Sequence, residues 1–349
     1  MENNIVSVYI KKETYDLLQK EIRIFHLKNN YSSLIKTIVT NFYPSYEEEN
    51  SNLKNEITKN VPQLNPNDLD TILYTFQKFN TNTATHTTLN KNSKKENKKI
   101  SIRINKNDFE FDSILFNSKM DISTFINMLI VSYLSKPQQI REKILFKNTI
   151  KSIEKVISNN KSVEIKYKTS ASNETKRAII TPYKICISTE ELFNYLLYQE
   201  NKEHKLLARS IHLYNIIDTS APIQQIEISK EVLNNFNKMK LNGIQFSINE
   251  NIIYKIFLTE EGKNIFNYSY LERPYKLPES NEKEGIYYFN CSELQLFRYF
   301  APFFDNAIIL EPFSTRKKFT DVLFETTKNY NEQKNNYTSI PLIEDHSLR

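Results

Sequence analysis

The residues in this sequence that could do chemistry are positive side chains and tyrosines, and the positive charge is concentrated in two blocks. Residues 88–107 carry seven Lys or Arg against one acid, and residues 136–185 carry twelve against four. The whole chain has a net charge of only +6, and it contains 21 tyrosines. Concentrated cations bind phosphates and exposed tyrosines stack on unpaired bases, so this pattern predicts a polyanion partner. The alternative is that the lysines lie on ordinary solvated faces.

No group of residues has the spacing of a catalytic or metal site. The five histidines are scattered, and neither an HExxH nor a GxSxG motif occurs. With only 3 glycines, a glycine loop that cradles phosphates is nearly excluded. Cys186 and Cys291 lie far apart, which predicts buried thiols rather than a disulfide framework or a zinc site. We therefore expect no enzyme activity, no cofactor and no metal.

The length of 349 residues suits two or three domains. The N-terminus has no apolar leader, and no apolar run reaches 18 residues. These features predict a cytoplasmic protein without membrane contact.

Two short segments, residues 5–10 and 100–104, alternate apolar and polar side chains as half-buried strands do. The alternation directs one set of side chains into a core, namely Val6, Val8, Ile10, Ile100, Ile102 and Ile104. It directs the other set outward, namely Ser7, Tyr9, Lys11, Lys99, Ser101 and Arg103. Helical patterns follow each segment, so the sequence contains two copies of strand, helix, turn and helix.

In the first copy, residues 13–27 predict one helix. A second helix is predicted to be capped by Ser32 or Ser33 and closed by Pro44. Between the copies, residues 66–79 predict a short helix and residues 80–98 a flexible linker.

In the second copy, residues 108–117 predict the first helix. The next helix is expected to be capped by Asp121 or Ser123 and to end at Pro137. The two copies resemble the ribbon-helix-helix family, in which paired strands form a ribbon that can enter a DNA major groove. The resemblance implies that outward ribbon side chains read bases.

Tyr9 departs from the family pattern because it is a bulky outward residue. Its size argues against reading a double helix and suits stacking on unpaired bases beside Arg103. The copies could pair within one chain or between two chains. The alternative is that the ribbon serves assembly only.

After a helical pattern over residues 139–160, the apolar period changes to two. Four strand-like segments follow, at residues 162–168, 177–187, 193–198 and 206–217. Short strands separated by tight polar turns predict a small barrel.

This region, residues 139–222, resembles a WYL domain. The resemblance rests on the basic strand Lys176-Arg177-Ala178-Ile179-Ile180-Thr181-Pro182-Tyr183-Lys184, on Phe193-Asn194-Tyr195-Leu196-Leu197, and on Ser210-Ile211-His212-Leu213-Tyr214-Asn215-Ile216. Asn194 and His212 stand where the family has Trp and Arg. The resemblance implies an Sm-like or SH3-like barrel that senses ligands, often nucleic acid. Carried over to this sequence, that role falls to Tyr195, Arg177 and Lys184, and to His212 at the position of the family's Arg, for which Arg209 could substitute. The alternative is that Tyr195 is a core residue and His212 a hydrogen-bonded strand residue.

The last third predicts strands at residues 223–228, 244–248, 284–290 and 307–311, with helices at 229–241, 291–304 and 316–330. It resembles the extension that follows many WYL domains through Leu271-Glu272-Arg273-Pro274, Arg298-Tyr299-Phe300 and Ala307-Ile308-Ile309-Leu310-Glu311-Pro312. In that family the extension often assists dimerisation.

The predicted architecture is an α+β multidomain chain with a small Sm/SH3-like β-barrel. Its parts are ribbon-helix-helix copy 1 (residues 1–44), a partly helical linker (45–98), copy 2 (99–136), the WYL domain with its leading helix (137–222), the C-terminal extension (223–333) and a tail (334–349).

Three functions fit this architecture. The chain resembles the WYL accessory proteins encoded beside type VI-D CRISPR effectors. That resemblance implies a homodimer that binds single-stranded RNA and stimulates the RNA-guided RNase. The alternative is a DNA-binding transcriptional regulator whose barrel senses a ligand. The third hypothesis is an interaction module whose repeats only dimerise.

Overall fold

The computed structural model describes residues 3–65, 68–69, 71–73, 75, 98–105, 121–169 and 174–333. The chain divides into two compact units. Unit 1 comprises Met1–Ile187, Leu192–Leu196 and Ile211–Ile226, and unit 2 comprises Ser188–Glu191, Leu197–Ser210 and Glu227–Arg349. The described residues form helices and three sheets, which confirms a mixed α and β fold.

The elements up to residue 219 are, in chain order, β1 (Asn3–Ile10), α1 (Lys12–Ile24), α2 (Tyr31–Asn60), β2 (Lys98–Asn105), α3 (Ile122–Leu134), α4 (Gln138–Leu145), α5 (Lys147–Ser158), β3 (Val163–Lys168), β4 (Thr175–Ile187), β5 (Asn194–Lys202), β6 (Lys205–His212), a 3-10 turn (Leu213–Asn215) and β7 (Ile216–Thr219). The later elements are α6 (Lys230–Asn242), β8 (Tyr254–Leu258), α7 (Glu260–Tyr268), β9 (Ile286–Phe289), α8 (Glu293–Phe300), a 3-10 segment (Ala301–Asn306), β10 (Ala307–Glu311) and α9 (Phe313–Gln333).

The first feature of unit 1 is a two-stranded antiparallel sheet formed by β1 and β2, here called the ribbon. The two strands pair within one chain, along a register that runs from Asn3 opposite Asn105 to Ile10 opposite Lys98. Val8, Ile10 and Ile102 are fully buried, as their alternation predicts. They pack in a core with apolar residues of α1, α2 and α3. A strand pair this small gains its stability from that shared core.

The helix α2 corrects two predictions. Its N-terminal cap is Asn30, whose Oδ1 accepts a hydrogen bond from the Ser33 N–H at 3.0 Å, rather than Ser32 or Ser33. The helix also continues through Pro44 to Asn60. Proline removes one backbone hydrogen bond from a helix. The side chains on either side of it, Phe42 and Tyr46, are both buried in the core, and this packing favours a continuous helix.

Of the two predicted caps for α3, Asp121 and Ser123, the structure uses Asp121, whose Oδ1 accepts a hydrogen bond from the Thr124 N–H at 3.0 Å. The predicted helix at residues 108–117, residues 80–97 of the predicted flexible linker and the tail at residues 334–349 lie outside the described residues. Within the predicted helix at 66–79, the described residues 68–69, 71–73 and 75 are helical.

A five-stranded sheet has the order β6-β5-β4-β3-β7. Within unit 1, β3 pairs antiparallel with both β4 and β7. The four segments predicted as strands are therefore extended, except that the last is interrupted by the 3-10 turn. In the predicted helical stretch before them, α4 ends at Leu145 and α5 begins at Lys147.

Unit 2 contains a three-stranded antiparallel sheet with the order β10-β8-β9. Buried aromatic residues fill its core, namely Tyr254, Phe266, Tyr287, Phe289, Tyr299, Phe300 and Phe303. The sequence did not predict β8 or α7. Conversely, residues 244–248 form no strand, and in residues 223–228 the structure has only an isolated bridge between Gln225 and Lys161.

Both cysteines are free thiols; Cys291 is buried and Cys186 is half-buried. In the part of the chain that the structure describes, each helix is too short or too polar to cross a lipid bilayer.

Candidate nucleic-acid interface

The outward face of the ribbon presents a tyrosine beside a lysine. Tyr9 lies directly opposite Lys99, and the Lys99 Nζ is 6.0 Å from the centroid of the Tyr9 ring. The Tyr9 side chain is 52% exposed. Two residues along the register, on the same face, Ser7 lies opposite Ser101, whose side chain is exposed. The ribbon thus offers a flat ring, a positive charge and hydroxyl groups on one face.

The backbone of Tyr9 is fixed by the start of α3. Its N–H donates a hydrogen bond to Ser123 Oγ at 3.0 Å, and its carbonyl accepts one from Asn127 Nδ2 at 2.8 Å. Because both contacts involve the backbone, they leave the ring exposed while they hold its attachment point. The ring is therefore presented by a fixed element, as ligand contacts require.

A shallow groove runs beside β1, with a volume of about 680 Å³. Its lining residues are Ile5, Val6, Ser7, Tyr9, Asp121, Ile122 and Ser123. Hydrogen bonds from the Thr124 side chain and backbone hold the pKa of Asp121 below its ordinary value. Since this carboxylate stays ionised at neutral pH, it repels phosphates from the groove. A phosphate backbone is favoured instead on the β2 side, where Lys98 and Lys99 are exposed.

Two other residues predicted for the outward ribbon face, Arg103 and Lys11, are not seen as exposed side chains on that face. Arg103 is in register with Ile5, and its side chain lies outside what the structure describes. Lys11 follows β1 at the cap position of α1 and is half-buried.

The predicted basic residues of β4 are exposed. Arg177 lies opposite the exposed Lys166 of β3, and its Nη1 is 3.5 Å from Glu164 Oε2. Its side chain is 67% exposed, so this ion pair is solvent-screened and weak. Lys184 is also exposed. Both cations are accessible to a phosphate.

Further lysines of the basic block lie on α5, at Lys147, Lys151 and Lys155. This spacing of four residues places them on one face of the helix. Lys151 and Lys155 are exposed, while the Lys147 Nζ donates a hydrogen bond to the Asn41 carbonyl at 3.1 Å. Like charges at this spacing repel one another, and a bound polyanion would relieve that repulsion.

Tyr195 and His212 form a hydrogen-bonded pair in the interior of unit 1. The Tyr195 Oη lies 2.8 Å from His212 Nε2, and the two ring centroids are 4.1 Å apart. Tyr195 is only 4% exposed. Burial lowers the pKa of His212 to about 4, so the imidazole is neutral at physiological pH. The expected role of Tyr195 as a direct ligand contact therefore does not fit this closed arrangement.

Other aromatic residues surround this pair, and the sequence analysis did not select them as site residues. We call the group Phe25, His26, Phe193, Tyr195, His212 and Tyr214 the aromatic cluster. The Tyr214 ring stacks on His212 with centroids 4.6 Å apart, and Phe193 packs against both rings. In the sequence, the feature that could have identified Tyr214 as a site residue was its position two residues after His212. The participation of Phe25 and His26, from the turn after α1, had no local signal.

A buried carboxylate holds the two segments that carry these rings. Glu142 Oε2 accepts hydrogen bonds from the Asn194 N–H at 2.6 Å and from Asn194 Nδ2 at 2.7 Å, and the Tyr214 N–H also donates to Glu142. Burial raises the pKa of Glu142 to about 7. Glu142 thus ties α4 to the beginning of β5, next to Tyr195, and to Tyr214.

Arg209 belongs to unit 2, unlike the other barrel residues selected from the sequence. Its Nε lies 3.4 Å from Glu200 Oε2 on the neighbouring strand, and both side chains are partly exposed. This partner offsets much of its charge. Across the described ranges, no three side chains of His, Cys, Asp or Glu gather closely enough to hold a metal ion.

No protein-family model matches the sequence, and no curated protein matches it. A solved structure described as "Crystal structure of a CRISPR Cas-related protein" is similar over 95% of both chains, with a TM-score of 0.63 and 17% identity. This similarity shows a shared fold. Proteasome accessory factor B/C (PafBC) of Arthrobacter aurescens matches 63% of this chain and 35% of its own, at 12% identity and a TM-score of 0.26, which is too low to support an argument.

Proposed function

We propose that this protein is a non-catalytic, nucleic-acid-binding regulatory protein. The observation that carries the proposal is the ribbon formed within one chain, which presents Tyr9 and Lys99 side by side on its outer face. An aromatic ring and an adjacent cation are the two groups that bind a base and its phosphate. In this proposal the ribbon and its helices act as a ribbon-helix-helix element, and residues 137–222 act as a WYL domain.

We favour single-stranded RNA as the partner. On the outward ribbon face the exposed side chain of Ile5 has no group that hydrogen-bonds to base edges, and the ring of Tyr9 has a single hydroxyl at its tip and a flat aromatic surface. A ring of this kind suits stacking on unpaired bases. The exposed cations Lys166, Arg177 and Lys184 would add phosphate contacts.

We further propose that the protein acts as an accessory that stimulates a type VI CRISPR RNA-guided RNase. The fold shared with a CRISPR Cas-related protein over nearly the whole chain supports this role. The likeness supports this role because it extends over nearly the whole chain. Likeness in a single domain would be compatible with many functions.

The second candidate is a DNA-binding transcriptional regulator. The specific observation in its favour is the unbroken antiparallel register of β1 and β2 over eight residues in each strand. A two-stranded ribbon of this kind fits the major groove of duplex DNA. In that case Lys99, Ser101 and Arg103 would contact base edges.

We propose a homodimer through α9 of unit 2. This helix of 21 residues has exposed apolar side chains at Val322, Leu323, Phe324 and Tyr330. Phe319, one turn before Leu323, packs against Phe297 of α8. The helical period places Val322, Leu323 and Tyr330 in one row with Phe319, whereas Phe324 lies on the other side of the helix. Exposed apolar residues in one row are typical of a surface that another chain covers.

The deciding experiment compares fluorescently labelled oligonucleotides of matched sequence, as single-stranded RNA and as duplex DNA, by fluorescence anisotropy at fixed salt. The accessory proposal expects tighter binding of the RNA. Equal or better competition by duplex DNA would move the assignment to the transcriptional regulator. Absence of binding to both nucleic acids would contradict the proposed function as a whole.

A further inference from the structure

The outermost ring of the aromatic cluster comes from the turn after α1. The His26 ring stacks on Tyr214, with centroids 5.3 Å apart and an interplanar angle of 23°. Tyr214 in turn stacks on His212, which is hydrogen-bonded to Tyr195. His26 itself is exposed, whereas Tyr195 is buried. An imidazole from the ribbon segment thus covers part of Tyr214.

The backbone at His26 adopts a conformation that favours glycine. Its φ is 49°, in the left-handed region. Two hydrogen bonds close the end of α1 around it, from the His26 N–H to the Arg23 carbonyl and from the Leu27 N–H to the Ile22 carbonyl. Glycine is the usual residue at this position of a helix end because it has no Cβ. A histidine here carries a conformational cost, which the stacking of its ring offsets.

The surroundings of this turn are positively charged. Arg23 lies in the last turn of α1 and Lys28 lies two residues beyond His26, and both are exposed. A planar ring that carried a phosphate could therefore stack on Tyr214 and place its charge near these cations. Nucleotides have this combination of a flat ring and a phosphate.

We infer that His26 is an internal competitor for an unpaired nucleobase at Tyr214. In the structure described here the site is closed, with the imidazole stacked where the base would bind. Binding a single strand displaces the His26 ring and replaces one stacked ring by another. The inference rests on the proposed function, because it takes single-stranded nucleic acid as the ligand.

The contacts around α1 limit the movement to the turn. Phe25 is buried against Phe146 and Phe193, and Glu21 forms a buried ion pair with Arg141 at 2.9 Å. These contacts hold the body of α1 in place. His26 is exposed, and so are the residues from Lys28 to Asn30, whereas Leu27 packs against the core. The movement is therefore a rotation of the His26 side chain, which leaves the core undisturbed.

The test uses the full-length protein and a labelled 12-nucleotide single-stranded RNA, with anisotropy as the measure of affinity. His26→Asn removes the ring and keeps a residue that tolerates the left-handed conformation. Since a closed site lowers the apparent affinity by the fraction of molecules that are open, this variant is expected to bind about threefold to tenfold more tightly. Tyr214→Leu is expected to weaken binding about tenfold, through loss of base stacking.

A second readout observes the wild-type protein directly and uses the folded His26→Asn variant only to assign signals. In wild-type protein with isotope-labelled histidine, the His26 ring signals, assigned by their absence in His26→Asn, are expected to move on addition of the RNA. If wild-type protein binds RNA while these signals stay in place and His26→Asn leaves the affinity unchanged, the inference is wrong and the proposed function stands. If the folded wild type and the variant both fail to bind RNA, both proposals are wrong.

Discussion

Tyr9 and Lys99 face each other across the ribbon, at 6.0 Å between the lysine ammonium and the ring centroid. They come from strands that are far apart in the sequence, and they meet because β1 and β2 pair within one chain. An exposed cation near an aromatic face contributes about 0.5–1 kcal/mol. The contact therefore orients both groups and remains weak enough to yield to a base and its phosphate.

Tyr9→Ala is expected to weaken binding of single-stranded RNA by roughly 1–3 kcal/mol, because it removes a ring on which a base stacks. Fluorescence anisotropy measures the change. Tyr268→Ala is the matched control, since Tyr268 is an 80% exposed tyrosine in unit 2, remote from the ribbon in sequence. Equal affinities for the wild type and Tyr9→Ala would restrict the ribbon to a role in assembly.

The affinity for single-stranded RNA is expected to fall as salt increases, because bound phosphates release counterions. Lys99→Ala should reduce the slope of log K against log salt by about 0.7, the contribution of one phosphate contact. Binding isotherms at several salt concentrations give this slope. Lys328→Ala, which removes an exposed lysine of α9, should leave it unchanged. A wild-type slope near zero would remove phosphate contacts from the proposal.

Stability should depend on pH through Glu142. Burial raises its pKa from 4.5 to about 7, so between these values the folded state holds a proton that the unfolded state has released. The stabilisation present below pH 4.5 is therefore lost as pH rises to about 7. Relative to Glu142→Gln, the wild type is expected to lose roughly 2–3 kcal/mol between pH 5 and pH 8.

Urea denaturation of both proteins at four pH values in this range measures that loss. His212, whose pKa is lowered to about 4, has the opposite pH dependence, but its contribution is shared by both proteins and cancels in the difference. Glu154→Gln, on the exposed side of α5, serves as the control. If the difference in unfolding free energy between the wild type and Glu142→Gln stays constant with pH, the raised pKa of Glu142 is contradicted.

Arg141→Ala is expected to destabilise the fold by roughly 3–5 kcal/mol, because it leaves the carboxylate of Glu21 buried without its cation. Glu21 is 2% exposed, and it also accepts a hydrogen bond from the Tyr133 hydroxyl at 2.7 Å. Chemical denaturation followed by circular dichroism measures the loss. Lys318→Ala, which breaks an exposed pair with Glu293, should cost less than about 1 kcal/mol. Equal losses of unfolding free energy in the two variants would show that the buried Glu21–Arg141 pair stabilises the fold no more than an exposed pair does.

Leu323→Asp is expected to dissociate the proposed homodimer, because it places a charge in the apolar row of α9. Light scattering coupled to size-exclusion chromatography measures the mass. Lys328→Asp introduces the same carboxylate on the opposite side of the helix and should leave the dimer intact. A wild-type mass of one chain would contradict the proposed dimer.

The sequence by itself determined the elements that depend on local periodicity. The alternation around Val8 and Ile102 predicted both ribbon strands, and the two cap candidates Asp121 and Ser123 predicted the start of α3 to within two residues. Such patterns are readable because the side-chain period of a strand or helix, and the hydrogen bonds of a cap, involve only near neighbours.

Only the tertiary structure decided which of these elements share a core. It showed that the two strands pair within one chain, that α2 passes through Pro44, and that Tyr195 is buried against His212. It also brought His26 onto Tyr214. Burial and ring contacts between distant segments depend on how whole elements pack, and the residues on either side of each position in the chain do not specify that packing.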